Sequence, residues 1–230
     1  MPLRGQVMQA PAGALGFDTD NPLNAVQARQ KINQGYRFCV RYVPHTAGAD
    51  PNFDDITAAE AQGIVDAGLG LMIVQHPPAR GWAPNARMGL DFGSYAAAHA
   101  GAAGIPAGVT IFLDLEGVEG GTPPEDVIGF CNSWFEQLRA VDYVPGIYIG
   151  ASPVLSADQL YWDLRVQHYW RGGSSVSAGV PADIPHRGYQ LIQRISNPGT
   201  PAEFDSDVTQ TDNFGQNVTW LCNPGAAAGV

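Results

Sequence analysis

Ile111-Phe112-Leu113-Asp114-Leu115-Glu116-Gly117 is the stretch on which the reading of this chain turns. Three apolar residues run into Asp-Leu-Glu and stop at a glycine, the pattern of a buried strand that surfaces at its C-terminal end. Residues i and i+2 of a strand share a face, so Asp114 and Glu116 project together, about 6.5 Å apart at Cα from the usual rise per residue. Two carboxyl groups about 5 to 9.5 Å apart suit glycosidic cleavage, one protonating the leaving oxygen and the other acting as nucleophile or directing water. A lone Asp-x-Glu is equally an ordinary solvated turn. The segments on either side decide between the two.

Upstream, strands are expected at 15–19, 38–43 and 69–75, separated by helical patterns at 22–34 and 57–68. Downstream, strands are expected at 144–150, 166–170, 188–194 and near 204–205, with helical patterns at 122–138 and from 156. An alanine-rich helix at 88–103 precedes the central strand. Thr57…Glu60, Thr122…Glu125 and Ser156…Gln159 each have capping-box spacing, in which hydroxyl and carboxylate or amide satisfy free amides of the first turn. In the fourth helix Val127, Phe130, Cys131, Trp134, Phe135 and Leu138 follow one helical face and read as core. The Gly/Ser segment 172–179 leaves its helix weak or missing.

Strands alternating with helices predict an α/β protein with a parallel sheet, best closed as a single (β/α)8 TIM-like barrel, irregular in its second half. The expected organisation is a loose lead-in at 1–14, the barrel at 15–222 and a flexible tail at 223–230. Reactive groups of such barrels lie at the C-terminal ends of the strands. Asp18 ends the first strand, Asp114 and Glu116 the fourth, and Asp205 and Asp207 the last. Closure makes the first and last strands neighbours, so these carboxylates are expected around one mouth.

Composition narrows the partners. The chain has 230 residues, 45% of them apolar, and a net charge of −10 with Lys31 as its single lysine, so nucleic acid and anionic membrane surfaces are poor partners. No stretch approaches the roughly 20 apolar residues of a membrane span. The first residues lack the apolar core of a signal peptide. Cys39, Cys131 and Cys222 are odd in number and far apart; the first two read as buried thiols, with a Cys39–Cys222 disulfide as the alternative.

Gly16-Phe17-Asp18, Gly35-Tyr36-Arg37-Phe38 leading to Arg41-Tyr42, Asp114-Leu115-Glu116, Gly146-Ile147-Tyr148 and Phe204-Asp205-Ser206-Asp207 resemble, in order, the motifs of glycoside hydrolase family 25 muramidases. They are closer still to a bacterial glycoside-hydrolase-like domain family of unknown function related to those enzymes. The resemblance spans about residues 15–221. It implies Glu116 as proton donor, with Asp18, Asp114 and Asp205 as its acidic partners. It also implies a peptidoglycan or related cell-envelope glycan as substrate, cut between N-acetylmuramic acid and N-acetylglucosamine, and a secreted or envelope-associated protein. The sixth strand, Val166-Gln167-His168-Tyr169-Trp170, and Tyr189-Gln190-Leu191-Ile192-Gln193 depart from the muramidase pattern, and Asp207 stands where those enzymes tend to have Asn.

Arg41, near the end of the second strand, is a candidate to neutralise a carboxylate. Tyr42, Trp82, Tyr148 and Trp170 are candidate sugar-stacking rings, and Gln193 and Asp207 candidate polar contacts. No cofactor is expected. A metal reading would use His45 and His76 with Asp18 and Asp114, but close His-x-x-x-His or paired-Cys spacing is lacking, so no metal ligands are assigned. A serine elbow and a phosphate-binding glycine loop are missing too. The function expected is a muramidase-like O-glycosyl hydrolase using carboxylate acid/base chemistry. Its alternative is a non-catalytic carbohydrate-binding or envelope-associated module on the same barrel; a metal-dependent carbohydrate deacetylase is the third reading.

Overall fold

The computed structural model describes residues 2–49, 54–173, 179–194 and 204–225. Eight strands close into a barrel: β2 (Leu15–Thr19), β3 (Phe38–Val43), β4 (Gly70–Gln75), β5 (Thr110–Leu115), β6 (Val144–Ile149), β7 (His168–Arg171), β8 (Leu191–Arg194) and β9 (Asp205–Thr209). Neighbours from β2 to β8 are parallel, and β9 closes the ring antiparallel to both β8 and β2. Helices α1 (Ala25–Asn33), α2 (Ala58–Ala67), α3 (Ala86–Ala102), α4 (Pro124–Arg139) and α5 (Ala157–Trp162) fill the connections from β2 to β7. This is the irregular (β/α) barrel that the alternation of elements predicts.

The direction of β9 differs from the expected all-parallel sheet. A parallel return needs a crossover of a dozen or more residues, usually helical, and residues 195–204 are too few. Asp205 and Asp207 therefore open β9 instead of ending a parallel strand. Asp205 still reaches the mouth, because it pairs with Asp18, while Asp207 pairs with Gly16 one step deeper.

Alternation along each strand splits the apolar residues into two clusters. Phe38, Val40, Met72, Val74, Phe112, Tyr148, Trp170 and Leu191 fill the barrel, while Phe17, Cys39, Ile73, Leu113, Ile147 and Tyr169 face the helices. Glycines make room for the large interior rings. A Cβ on Gly16 would lie 2.2 Å from the Phe38 ring, one on Gly70 2.7 Å from Trp220, and one on Gly146 2.5 Å from Phe112.

The stretch expected as a loose lead-in contains β1 (Gln6–Gln9), which pairs antiparallel with β10 (Thr219–Cys222). β10 in turn meets β4 at Leu221 and Leu71, and Trp220 seals the barrel floor beside Phe38. Two capping expectations need correcting. Thr57 does accept from the Glu60 amide, but the Glu60 carboxylate bonds Arg41 and the Leu23 amide instead of turning back to the cap. At α4 the cap is Pro123 without a side-chain bond, so Thr122 does not cap. Ser156 and Gln159 form the expected box on α5, and Asn24 with Gln27 forms another on α1.

Cys39, Cys131 and Cys222 are all buried free thiols, so the alternative Cys39–Cys222 disulfide is not formed. Cys39 faces the helical layer, whereas Cys222 belongs to the barrel-floor cluster. Residues 174–178 of the Gly/Ser segment and 226–230 of the expected tail lie outside the described residues. Among the described residues no helix is long and apolar enough to cross a membrane.

Candidate active site

The mouth is organised by β5. Asp114 lies on its inner face, 5% exposed, and Glu116 follows one residue beyond the strand, half-buried. The backbone turns at Gly117 (φ 63°), whose amide donates to the Ala151 carbonyl at 2.8 Å, in a conformation that favours glycine. The Glu116 carbonyl accepts from Trp82 Nε1 at 2.8 Å, which pins the turn from outside. Gly150, just past β6, leaves the space the side chain occupies: a Cβ there would lie 2.4 Å from Glu116 Oε2.

Across the barrel, both oxygens of Asp18 are engaged. Tyr42 donates its hydroxyl to Oδ1 at 3.1 Å, and Gln193 donates from Nε2 to Oδ2 at 2.9 Å and to Asp205 Oδ2 at 3.3 Å. The Gln193 amide is oriented in turn, because its Oε1 accepts from the Tyr148 hydroxyl at 3.0 Å and from the Gly173 amide at 3.1 Å. Below them Asp207, with no exposed surface, accepts from Trp170 Nε1 at 2.9 Å.

Burial dominates the electrostatics. It raises the Asp18 carboxyl to about 6, opposed by the bonds from Gln193 and Tyr42 and reinforced by Asp205. Burial, together with the charges of Glu116 and Asp18, raises Asp114 well above its ordinary value and so favours its protonated form. Asp114 Oδ1 has no hydrogen-bond partner, which a neutral carboxyl tolerates better than a charged one. Glu116 is raised by burial and by Asp205, while Arg80 pulls it back. The tyrosine hydroxyls of Tyr42 and Tyr148 are pushed up by burial and by the surrounding carboxylates, so both remain donors.

The structure thus brings together Asp18, Asp114, Glu116, Asp205, Asp207, Tyr42, Tyr148, Trp170 and Gln193. Two sequence candidates lie elsewhere. Arg41 points outward from β3, fully buried, with Nε 2.7 Å from Glu60 and its terminal nitrogens on the carbonyls of Thr19 and Asp54. Its charge neutralises Glu60, not a carboxylate of the mouth. Trp82 belongs to the outer cluster, edge-on to Phe130, and offers no free face to a sugar. Trp170, 1% exposed, is floor beneath Tyr148, their rings T-shaped at 4.7 Å. Tyr42, partly exposed and stacked on His76 at 4.5 Å, remains the ring with an accessible edge.

Arg80 and Gly150 were not singled out from sequence. A lone arginine in a loop carries no pattern, and a strand-end glycine is read as a stop. Among the described residues no three His, Cys, Asp or Glu side chains are grouped to hold a metal ion.

Residues 29–213 match the sequence model of the Rv2525c-like glycoside hydrolase-like domain. The chain belongs to that family. The matched segment carries Asp114, Glu116, Asp205 and Asp207, and Asp18 precedes it. Among solved structures, the Mycobacterium tuberculosis Tat-secreted protein Rv2525c aligns with a TM-score of 0.66 at 17% identity, covering 90% of this chain and 99% of its own. An uncharacterised B. stearothermophilus protein aligns with a TM-score of 0.62 at 19% identity, covering 86% and 96%. The Streptomyces coelicolor lysozyme aligns with a TM-score of 0.58 at 16% identity, covering 87% and 93%. The Rv2525c-like domain therefore shares its fold with muramidases. A comparison with curated proteins gave no match.

Proposed function

We propose that this Rv2525c-like domain is a glycoside hydrolase acting on peptidoglycan or a related cell-envelope glycan, with Glu116 as the general acid. The observation that carries the reading is the meeting of Asp18, Asp114, Glu116 and Asp205 at one barrel mouth, with burial raising each carboxyl. A glycosidic oxygen is a poor leaving group and needs a proton in the transition state, so a carboxyl that keeps its proton above the ordinary range is the required tool. Glu116 has that shift and, unlike Asp114, enough exposure to meet a sugar. Asp114, neutral beside it, spares Glu116 a like charge and can donate a hydrogen bond to a substrate acetamido group. Asp18 and Asp205, on the opposite wall, stabilise oxocarbenium character or orient water.

Substrate contacts fall to the accessible edge of Tyr42 and to Asp205, with Gln193 and Tyr148 holding the wall behind them. Secretion or envelope association is part of this reading, supported by the Tat-secreted relative.

One observation favours the alternative of a carbohydrate-binding module without turnover: both Asp18 oxygens are already held by side-chain donors. Co-sedimentation with insoluble peptidoglycan, paired with assay of soluble fragments, separates the two. The hydrolase reading expects fragments from the parent, and binding without fragments from Glu116→Gln. Binding by the parent with no fragments at any pH supports the module.

A further inference from the structure

Asp207 is the acidic residue of the cluster with no route to a substrate. It lies on β9 opposite Gly16 and Gln193, wholly buried beneath Asp18. Its Oδ1 accepts from Trp170 Nε1 at 2.9 Å, and its Oδ2 has no donor on it. A charged carboxylate with an orphaned oxygen in such a place is costly, and among the described residues no cationic side chain is paired with it to offset that cost. Its neighbour on the inner face is Asp18, two residues from Gly16 along β2 and diagonal to Asp207 across the β2–β9 pairing, within reach of a bond between the two carboxyl groups. Two carboxyl groups can make that bond only if a proton lies between them.

We propose that Asp207 is a positioning residue: as a neutral carboxylic acid it donates its proton to a hydrogen bond with Asp18, and so fixes the Asp18 carboxylate toward the mouth. This rests on the glycosidase reading above. Tyr42 on β3 and Gln193 on β8 each donate to one oxygen of Asp18, and the Asp207 proton from β9 adds a third donor, which together leave it one orientation. Asp207 is aimed in turn by Trp170 on β7. The proton takes the place of a counter-ion.

The other titratable groups facing the pair are few. Asp205 lies at the rim on β9, Tyr42 on β3, Asp114 on β5 and Tyr148 on β6; Glu116 stands beyond β5, and Cys39 and Arg41 are on the outer side of β3. The acids among these repel a second charge on the pair, and the two tyrosine hydroxyls stay protonated. The shared proton is therefore held beyond the point at which an ordinary carboxyl loses it, and leaves only as pH rises further. Two buried carboxylates then face each other, and Asp18 moves.

The test compares the parent with Asp207→Asn and Asp207→Leu. Asn keeps both bonds, its carbonyl accepting from Trp170 and its amide donating to Asp18, but has no proton to lose. Asp207→Leu is expected to lower kcat about 10- to 100-fold by removing a hydrogen bond to a charged group, and Asp207→Asn to recover most of that loss. Beyond the alkaline decline that Glu116 sets in both proteins, the parent is expected to lose activity relative to Asp207→Asn as pH rises, which a merely space-filling role would not produce. Infrared spectra read the proton without any activity: the difference between the parent and Asp207→Asn at neutral pH should show the loss of one protonated-carboxyl band, over the contributions of Asp114 and Glu116 common to both. No carboxyl band lost in Asp207→Asn, with an activity ratio to the parent that does not change with pH, would overturn the proposal. If the parent cleaves no glycan, the glycosidase reading fails, and the infrared band alone decides the shared proton.

Discussion

Gly150→Ala tests how Glu116 is held with a single methyl group. Gly150 does not have a left-handed backbone conformation, so alanine there is not strained by φ and the effect is steric. The added Cβ would lie 2.4 Å from Glu116 Oε2 and 2.5 Å from Glu116 Cβ, against 3.4 Å or more for ordinary contact. Relief requires a displacement of about 1 Å. The carboxyl could swing away, but the Glu116 Cβ is fixed to a backbone pinned by Trp82 and by the Gly117 amide, so the end of β5 must shift. Overpacking of this kind costs about 1 to 3 kcal/mol of stability, while misplacing a catalytic group by about 1 Å costs on the order of 100-fold in rate. The expected outcome is a variant that unfolds at modestly lower denaturant concentration but loses about 100-fold in kcat on peptidoglycan. Full activity in a folded Gly150→Ala would refute the assignment of Glu116 or the rigidity of its seat.

Two further predictions concern buried charge. Asp18, raised to about 6 from 3.8, contributes stability that is present below about pH 4 and lost as pH rises through 6, about 3 kcal/mol for the shift. His168, lowered by burial to about 4, acts in the opposite sense, losing stability as pH falls from 6.5. The test is therefore a difference: denaturation of Asp18→Asn against the parent should turn in favour of Asn by up to about 3 kcal/mol from about pH 4 to 7, and a flat difference would contradict the burial argument. Glu60→Gln leaves Arg41 fully buried beside a neutral partner, and equilibrium denaturation should register a loss of about 3 to 5 kcal/mol. A loss below about 1 kcal/mol, the range of surface pairs, would mean that the carbonyls of Thr19 and Asp54 suffice for the guanidinium.

The strands β2 to β8 were legible because each is a short apolar run whose alternate residues face two different layers, and glycines and helical periodicity mark their ends. The acidic mouth was legible for the same reason: Asp18, Asp114 and Glu116 stand at or just past the ends of such runs. β1 and β10 were not, since each is four residues long and pairs with the other from more than 200 positions away. The direction of β9 depends on connection length, which a strand pattern does not encode. Arg41 and Glu60 were misread together. The spacing from Thr57 assigned Glu60 to a helix cap, which left Arg41 looking unpaired at a strand end, whereas the fold sets the two against each other under α2. Trp82 and Trp170 show the limit of ring counting, because a tryptophan near a strand end can be seat or floor as readily as surface.

The central claim is that Glu116 delivers a proton to a glycosidic oxygen from a mouth of buried carboxyls. It is tested most directly by release of new reducing ends from purified bacterial peptidoglycan, comparing the parent with Glu116→Gln across about pH 4 to 8, the range over which raised carboxyls titrate. The account predicts release by the parent, declining as Glu116 loses its proton on the alkaline side, and loss of release in a folded Glu116→Gln. Equal release by both proteins, or none from a folded parent at any pH, would contradict it.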